Sequence, residues 1–185
     1  MEAEGYTRVD RSISMMMANV LAIGLIVPIF GIPTVLFLWL WGTEPVRAAF
    51  DAYFQSPVWI ILGMVALIVL HELLHGLTWQ QLSGVKREDV YYGIKWEALT
   101  PYAHLKVPIR MQPYRWGIAM PGLVLGILPS LAGLISGSGL VFFVGIFMLI
   151  GASGDMIVLY LLRKEDPDSL VEDHPDRAGC HVLVR

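Results

Sequence analysis

Apolar residues in this chain gather into four long segments, Met17–Trp41, Pro57–Leu82, Gly117–Ile135 and Gly139–Leu162. Each is close to the roughly 20 residues a helix needs to cross a hydrocarbon core of about 30 Å, so the pattern predicts four transmembrane helices. The first run holds no charge and lacks a small-x-small cleavage site, which marks it as a retained span and not a signal peptide. Pro28 and Pro33 are expected to kink it, and Pro121 and Pro129 to kink the third. Between the second and third runs the pattern changes. Val90–Trp96 and Ala103–Val107 carry aromatic and β-branched residues around Thr100-Pro101, followed by Pro108 and Pro113. This predicts a short β-hairpin or a re-entrant segment over about 86–115. The predicted fold is therefore an all-α membrane protein: a four-transmembrane-helix bundle (residues 1–162) with that hairpin between helices 2 and 3. A polar tail, 163–185, is expected to fold back on the surface, its Val182-Leu-Val ending giving a short strand against the hairpin.

Composition supports the bilayer: 56% of the residues are hydrophobic. A net charge of −3, with no basic stripe interleaved with aromatics, excludes nucleic acid as a partner. The 13 Lys and Arg residues are strongly asymmetric. Arg8 and Arg11, then Lys86, Arg87, Lys95, Lys106, Arg110 and Arg115, then Arg163, Lys164, Arg177 and Arg185 fall on one side of a four-span chain, leaving Arg47 on the other. The positive-inside rule makes this a multi-pass protein of the cell membrane with both termini cytoplasmic. The lone Cys180 can form no internal disulfide and reads as a reduced tail residue.

The second span contains His71-Glu72-Leu73-Leu74-His75. Residues four apart share a helix face, so the two imidazoles can bind one zinc ion while Glu72 lies beside the water such an ion activates. In a chain with five His, chance produces this pattern at roughly the one per cent level. Ionisable groups inside a membrane are costly and by default functional. A catalytic zinc takes three protein ligands, and the fourth span offers Asp155 in Gly151-Ala-Ser-Gly-Asp155. Counted from Pro57 and Gly139, His71 and Asp155 reach depths about 3 Å apart, and the small residues before Asp155 permit close helix approach.

His104, on the predicted hairpin, is the one histidine outside the motif placed to reach such a site, as a donor to a developing oxyanion. Tyr91, Tyr92 and Tyr102 are alternative donors, although aromatics also gather at membrane interfaces. His174, Cys180 and His181 are zinc-ligand types, at irregular spacing, for a second metal site or a masking ligand in the tail.

The order His-Glu-Leu-Leu-His75, Thr100-Pro-Tyr-Ala-His104, Pro108, Tyr114, Pro121, Pro129, Ser153-Gly-Asp155 and Asp173-His-Pro-Asp-Arg-Ala-Gly179 resembles the zincin membrane peptidase family of small bacterial and archaeal proteins. The architecture is also similar to site-2 proteases. The resemblance implies His71, His75 and Asp155 as zinc ligands and Glu72 as the base. It departs in one respect: site-2 proteases often carry an Asn before the ligand Asp, and the one Asn here, Asn19, begins the first span.

The function expected is a zinc-dependent metalloendopeptidase embedded in the lipid bilayer, cutting a membrane-protein or peptide substrate near the cytoplasmic leaflet, with Glu72 moving the proton. A homo-oligomer is compatible with it. Two rivals are a non-catalytic scaffold in which a structural zinc ties spans together, and a carrier with a midplane His/Asp site, for which Glu72 beside His71 is superfluous.

Overall fold

The computed structural model describes residues 5–95 and 100–184. The chain is mostly helical. Strand β1 (Thr7–Ile13) leads into α1 (Met15–Ile26) and α2 (Ile32–Trp41), which a π-helical turn over Val27–Gly31 joins into one rod. A short helix α3 (Glu44–Gln55) precedes the long α4 (Pro57–Ser83). Strands β2 (Val90–Lys95) and β3 (Thr100–Leu105) form a hairpin, and the two-residue β4 (Ile109–Arg110) follows. Then come α5 (Met111–Pro121), a second π turn over Gly122–Ile127, α6 (Leu128–Ser136), α7 (Gly139–Gly151) and α8 (Ser153–Leu162), and finally β5 (Leu170–Asp173) and β6 (Ala178–Val184).

Helix ends follow local chemistry. Pro57 opens α4 where its missing N–H has no helical partner to lose, and Gly84 closes it at φ +72°, a left-handed value suited to glycine. The prolines expected to kink the first and third spans sit at the two π turns: Pro28 within the first, Pro33 just beyond it, Pro121 and Pro129 flanking the second. A wider turn accommodates the backbone that a proline ring displaces.

By packing, the described chain divides into two units. One comprises the residues up to Val20, Glu72–Met120 and those from Gly154 on. Its core unites Trp79, Leu105, Ile109, Met111, Tyr114 and Leu162 with Val171, Cys180 and Val182 of the sheet. That sheet is antiparallel, ordered β1-β6-β5-β4, with Thr7 opposite Val184 and Ile109 opposite Val171. Burial pushes the Cys180 thiol up to about 12, so it is inert near neutral pH. The other unit comprises Leu21–His71 and Pro121–Ser153. Phe37 stacks on Phe142 with centroids 4.5 Å apart, and a Cβ at Gly133 would lie 2.3 Å from the Phe142 nitrogen. Small residues thus set how closely α6 and α7 pack.

The structure corrects several expectations. The fold is not all-α: a four-stranded sheet stands beside the expected two-stranded hairpin. The tail strands pair with β1 and β4, and Val182 shares one core with Val90 and Leu105 of the hairpin. The strand predicted to reach Trp96 is described to Lys95; Trp96 and Arg185 lie outside the described residues. Among the described residues three helices are long and apolar enough to cross a membrane, Met15–Trp41, Pro57–Ser83 and Met111–Ser136. The predicted fourth span is broken at Ala152 into α7 and α8, and only the two together make a fourth. The stretch after the first span, for which no element was expected, contains the amphipathic helix α3.

Candidate metal centre

The motif occupies one turn of α4. Candidate ligand atoms of His71, Glu72 and His75 all lie within 4.8 Å of one another, and the imidazoles are buried, His71 9% and His75 6% exposed. His75 is held from two sides. Its ring stacks on Trp79, whose indole N–H donates to the Tyr114 carbonyl at 3.2 Å. Its Nδ1 lies 2.9 Å from the Gly117 carbonyl oxygen. A carbonyl can only accept, so Nδ1 carries the proton and Nε2 keeps its lone pair for a metal.

Two residues of α5 make that contact available. The helical partner of the Gly117 carbonyl is the N–H of residue 121, and Pro121 has none, so the oxygen is open to His75. A Cβ at Gly117 would lie 1.9 Å from the Trp79 ring nitrogen; only glycine lets α5 approach so closely.

Asp155, in the first turn of α8, places Oδ1 3.6 Å from His75 Nε2. That is longer than a direct hydrogen bond, but two ligand atoms on one tetrahedral zinc at about 2.0–2.1 Å stand about 3.4 Å apart. The donors His71, Glu72 and His75 could hold a zinc ion, with His75 oriented through its second ring nitrogen; Asp155 stands at ligand spacing from His75 but is not one of the three whose ligand atoms all lie within 4.8 Å of one another.

The hairpin register sorts the candidate donors. Tyr92 pairs with Ala103, and Tyr91 with His104. Strand alternation puts Tyr92 on one face with Val90 and Leu105, and Tyr91, Tyr102 and His104 on the other. The Tyr92 face meets α4: a Cβ at Gly76 would fall 2.0 Å from the Tyr92 hydroxyl oxygen and 2.9 Å from a Val90 methyl. Burial raises the Tyr92 pKa, the Glu72 charge adds to it, and Arg87 opposes it. His104 instead lies with Nδ1 3.6 Å from Asp173. Asp173 also accepts from the Leu105 N–H at 2.7 Å and from the Tyr114 hydroxyl, and burial raises its pKa. His104 thus belongs to the seam between hairpin and sheet, on the face away from Tyr92.

The tail residues do not converge as a trio. Cys180 points into the core, and His181, its neighbour on β6, points to the other face, opposite Asp10. His174 stacks on His181 at 4.7 Å, and ligand atoms of Asp10, His174 and His181 lie within 4.8 Å of one another. Yet His174 Nδ1 accepts the backbone N–H groups of Asp176 and Arg177, both at 3.0 Å, which leaves the ring proton on Nε2 and uses the lone pair in the turn.

Sequence reasoning missed Gly76, Gly117 and Pro121. Glycine inside an apolar helix one residue after the motif was the available signal for Gly76. A backbone carbonyl has no signature in sequence, so Gly117 had none.

The chain is 29% identical over 118 residues to the "Uncharacterized 24.7 kDa protein in gap 5'region" of Pyrococcus woesei, covering 62% of this chain and 51% of that protein. It thus spans about half the length of that relative. No solved structure matches it. A family model described as "Putative zincin peptidase" matches residues 64–170, a stretch that holds the motif, the hairpin, Gly117, Pro121 and Asp155, and the chain belongs to that family.

Proposed function

We propose that the protein is a zinc-dependent, membrane-embedded metallopeptidase that hydrolyses peptide bonds of membrane-associated proteins at the cytoplasmic side. The observation that carries this is the setting of His75, with Nδ1–H bonded to the Gly117 carbonyl, Nε2 3.6 Å from Asp155 and Glu72 on the same turn. His71, His75 and Asp155 would hold the ion. When bound, zinc supplies Lewis acidity, polarising the scissile carbonyl and making water a competent nucleophile near neutral pH. Glu72 takes the proton of the attacking water and returns it to the departing amine. The hairpin is a two-stranded sheet, so a strand edge is open among the described residues, and an extended peptide added there would satisfy its backbone while lying beside α4.

The sidedness rests on the four-stranded sheet. Hydrogen-bonded strands cannot straddle a bilayer, so β1, β4, β5 and β6 share one side. On this reading the chain leaves that side through α1–α2, returns through α4, leaves again through α5–α6 and returns through α7–α8 as a broken fourth span. The arginines on or beside these strands, Arg8, Arg11, Arg110 and Arg177, make that side the cytoplasm. In intact cells, Gln55→Cys and Ser136→Cys should react with a membrane-impermeant maleimide, Arg8→Cys only after permeabilisation, and native Cys180 only after unfolding. Labelling of Arg8→Cys from outside would overturn the orientation.

The test of activity uses purified protein in dodecylmaltoside with fluorescein-labelled casein. Cleavage should stop on chelation and return with stoichiometric zinc. One tightly held zinc per chain without chelator-sensitive cleavage would instead mean a structural ion.

A further inference from the structure

The hairpin brings a second group to the motif turn. Gly76 follows His75 and stands one turn after Glu72, so the two share a face of α4. A Cβ on a helix leans toward its N-terminus, here toward Glu72. The position such a Cβ would take at Gly76 is 2.0 Å from the Tyr92 hydroxyl oxygen and 2.8 Å from the ring carbon that bears it. The phenol therefore rests on bare helix backbone, on the Glu72 side of the metal centre, in a space that exists only because residue 76 lacks a side chain.

From this juxtaposition we propose that Tyr92 is the hydrogen-bond donor of the site, its phenolic O–H serving the scissile carbonyl oxygen as negative charge builds there. The role rests on the metallopeptidase reading. It involves no proton transfer: the O–H bond persists, and the donor is preorganised by the hairpin.

Three features favour Tyr92 over the other candidates. It alone of Tyr91, Tyr92, Tyr102 and His104 lies on the hairpin face that meets α4. No described residue accepts a hydrogen bond from its hydroxyl, whereas His104 is engaged by Asp173. It is half-buried, so a substrate can reach the oxygen while the ring stays fixed. Burial, against the opposing charge of Arg87, favours the protonated phenol, and the Glu72 charge adds to it.

Tyr92→Phe keeps the ring over Gly76 and removes only the oxygen. It should bind zinc as wild type does and lower kcat on fluorescein-labelled casein about 100-fold or more, with KM within about twofold. Gly76→Ala, which displaces the ring, should lose activity similarly at full zinc occupancy. Independently of turnover, 3-fluorotyrosine placed at position 92 in the zinc-free protein should show a ¹⁹F resonance that moves on Glu72→Gln. An unmoved resonance, or a Tyr92→Phe variant that cleaves as fast as an active wild type, overturns the role and leaves the peptidase reading standing. A wild type that cleaves no casein overturns both.

Discussion

Glu72→Gln should retain one zinc per chain and cut casein about 10²–10⁴-fold more slowly than wild type, the range that removal of a positioned general base costs. Glutamine matches the carboxylate in size, so α4 and the imidazoles beside it stay in place, but its amide cannot take a proton from water. The zinc measurement carries as much weight as the rate, since a variant that lost metal would say nothing about the base. Retained zinc with undiminished cleavage would remove Glu72 from the mechanism. Such a slow variant could also hold an uncut substrate, and material that co-purifies with it and not with wild type would identify what the enzyme cuts.

Asp155→Asn should weaken zinc binding more than about 100-fold, beyond the 10–100-fold that loss of an outer-shell partner costs. The amide occupies the same volume but brings no negative charge, and on the proposed ligand set the carboxylate oxygen 3.6 Å from His75 Nε2 would be the one offered to the ion. His75→Ala should be worse, because it also strands the Gly117 carbonyl, which Pro121 leaves without a helical donor. Pro121→Ala supplies an N–H that competes for that carbonyl, and should fall between wild type and Asp155→Asn. Competition with a chromophoric chelator orders the three. An Asp155→Asn protein with wild-type affinity would exclude Asp155 from the ligand set.

What was legible in the sequence was what periodicity and composition encode locally. The apolar runs gave the long helices because the bilayer imposes length and hydrophobicity on each separately. The convergence of His71, Glu72 and His75 was legible because their spacing is itself their geometry, and the nearness of Asp155 to His75 could be anticipated because a lone carboxylate within an apolar stretch is conspicuous. The sheet was not. Thr7–Ile13 holds Arg8, Asp10 and Arg11 and carries no apolar run to mark it, and the partner that makes it a strand, Ala178–Val184, is about 170 residues away in sequence. Helix α3 was hidden because a short amphipathic segment between two spans looks like a loop. The sidedness of His104 depended on the register Tyr91 opposite His104, which the alternation of residues within either strand does not fix by itself.

The pairing of Thr7 with Val184 also sets a timetable. Strand β6 lies between β1 and β5, so β1 has no neighbour in the sheet until β6 is made, and β5 has only β4. At ribosomal speeds of about 5–20 residues per second, β1 waits roughly 10–30 s for it, long after the first helices have entered the membrane. The core around Tyr114, Val171 and Val182 closes only then, and with it the Asp173 contacts that seat the hairpin. On the function proposed above, synthesis of β6 would be the step that completes the centre: a chain halted before it would carry the His71-Glu72-x-x-His75 motif but lack the assembled seam that brings Tyr92 to it.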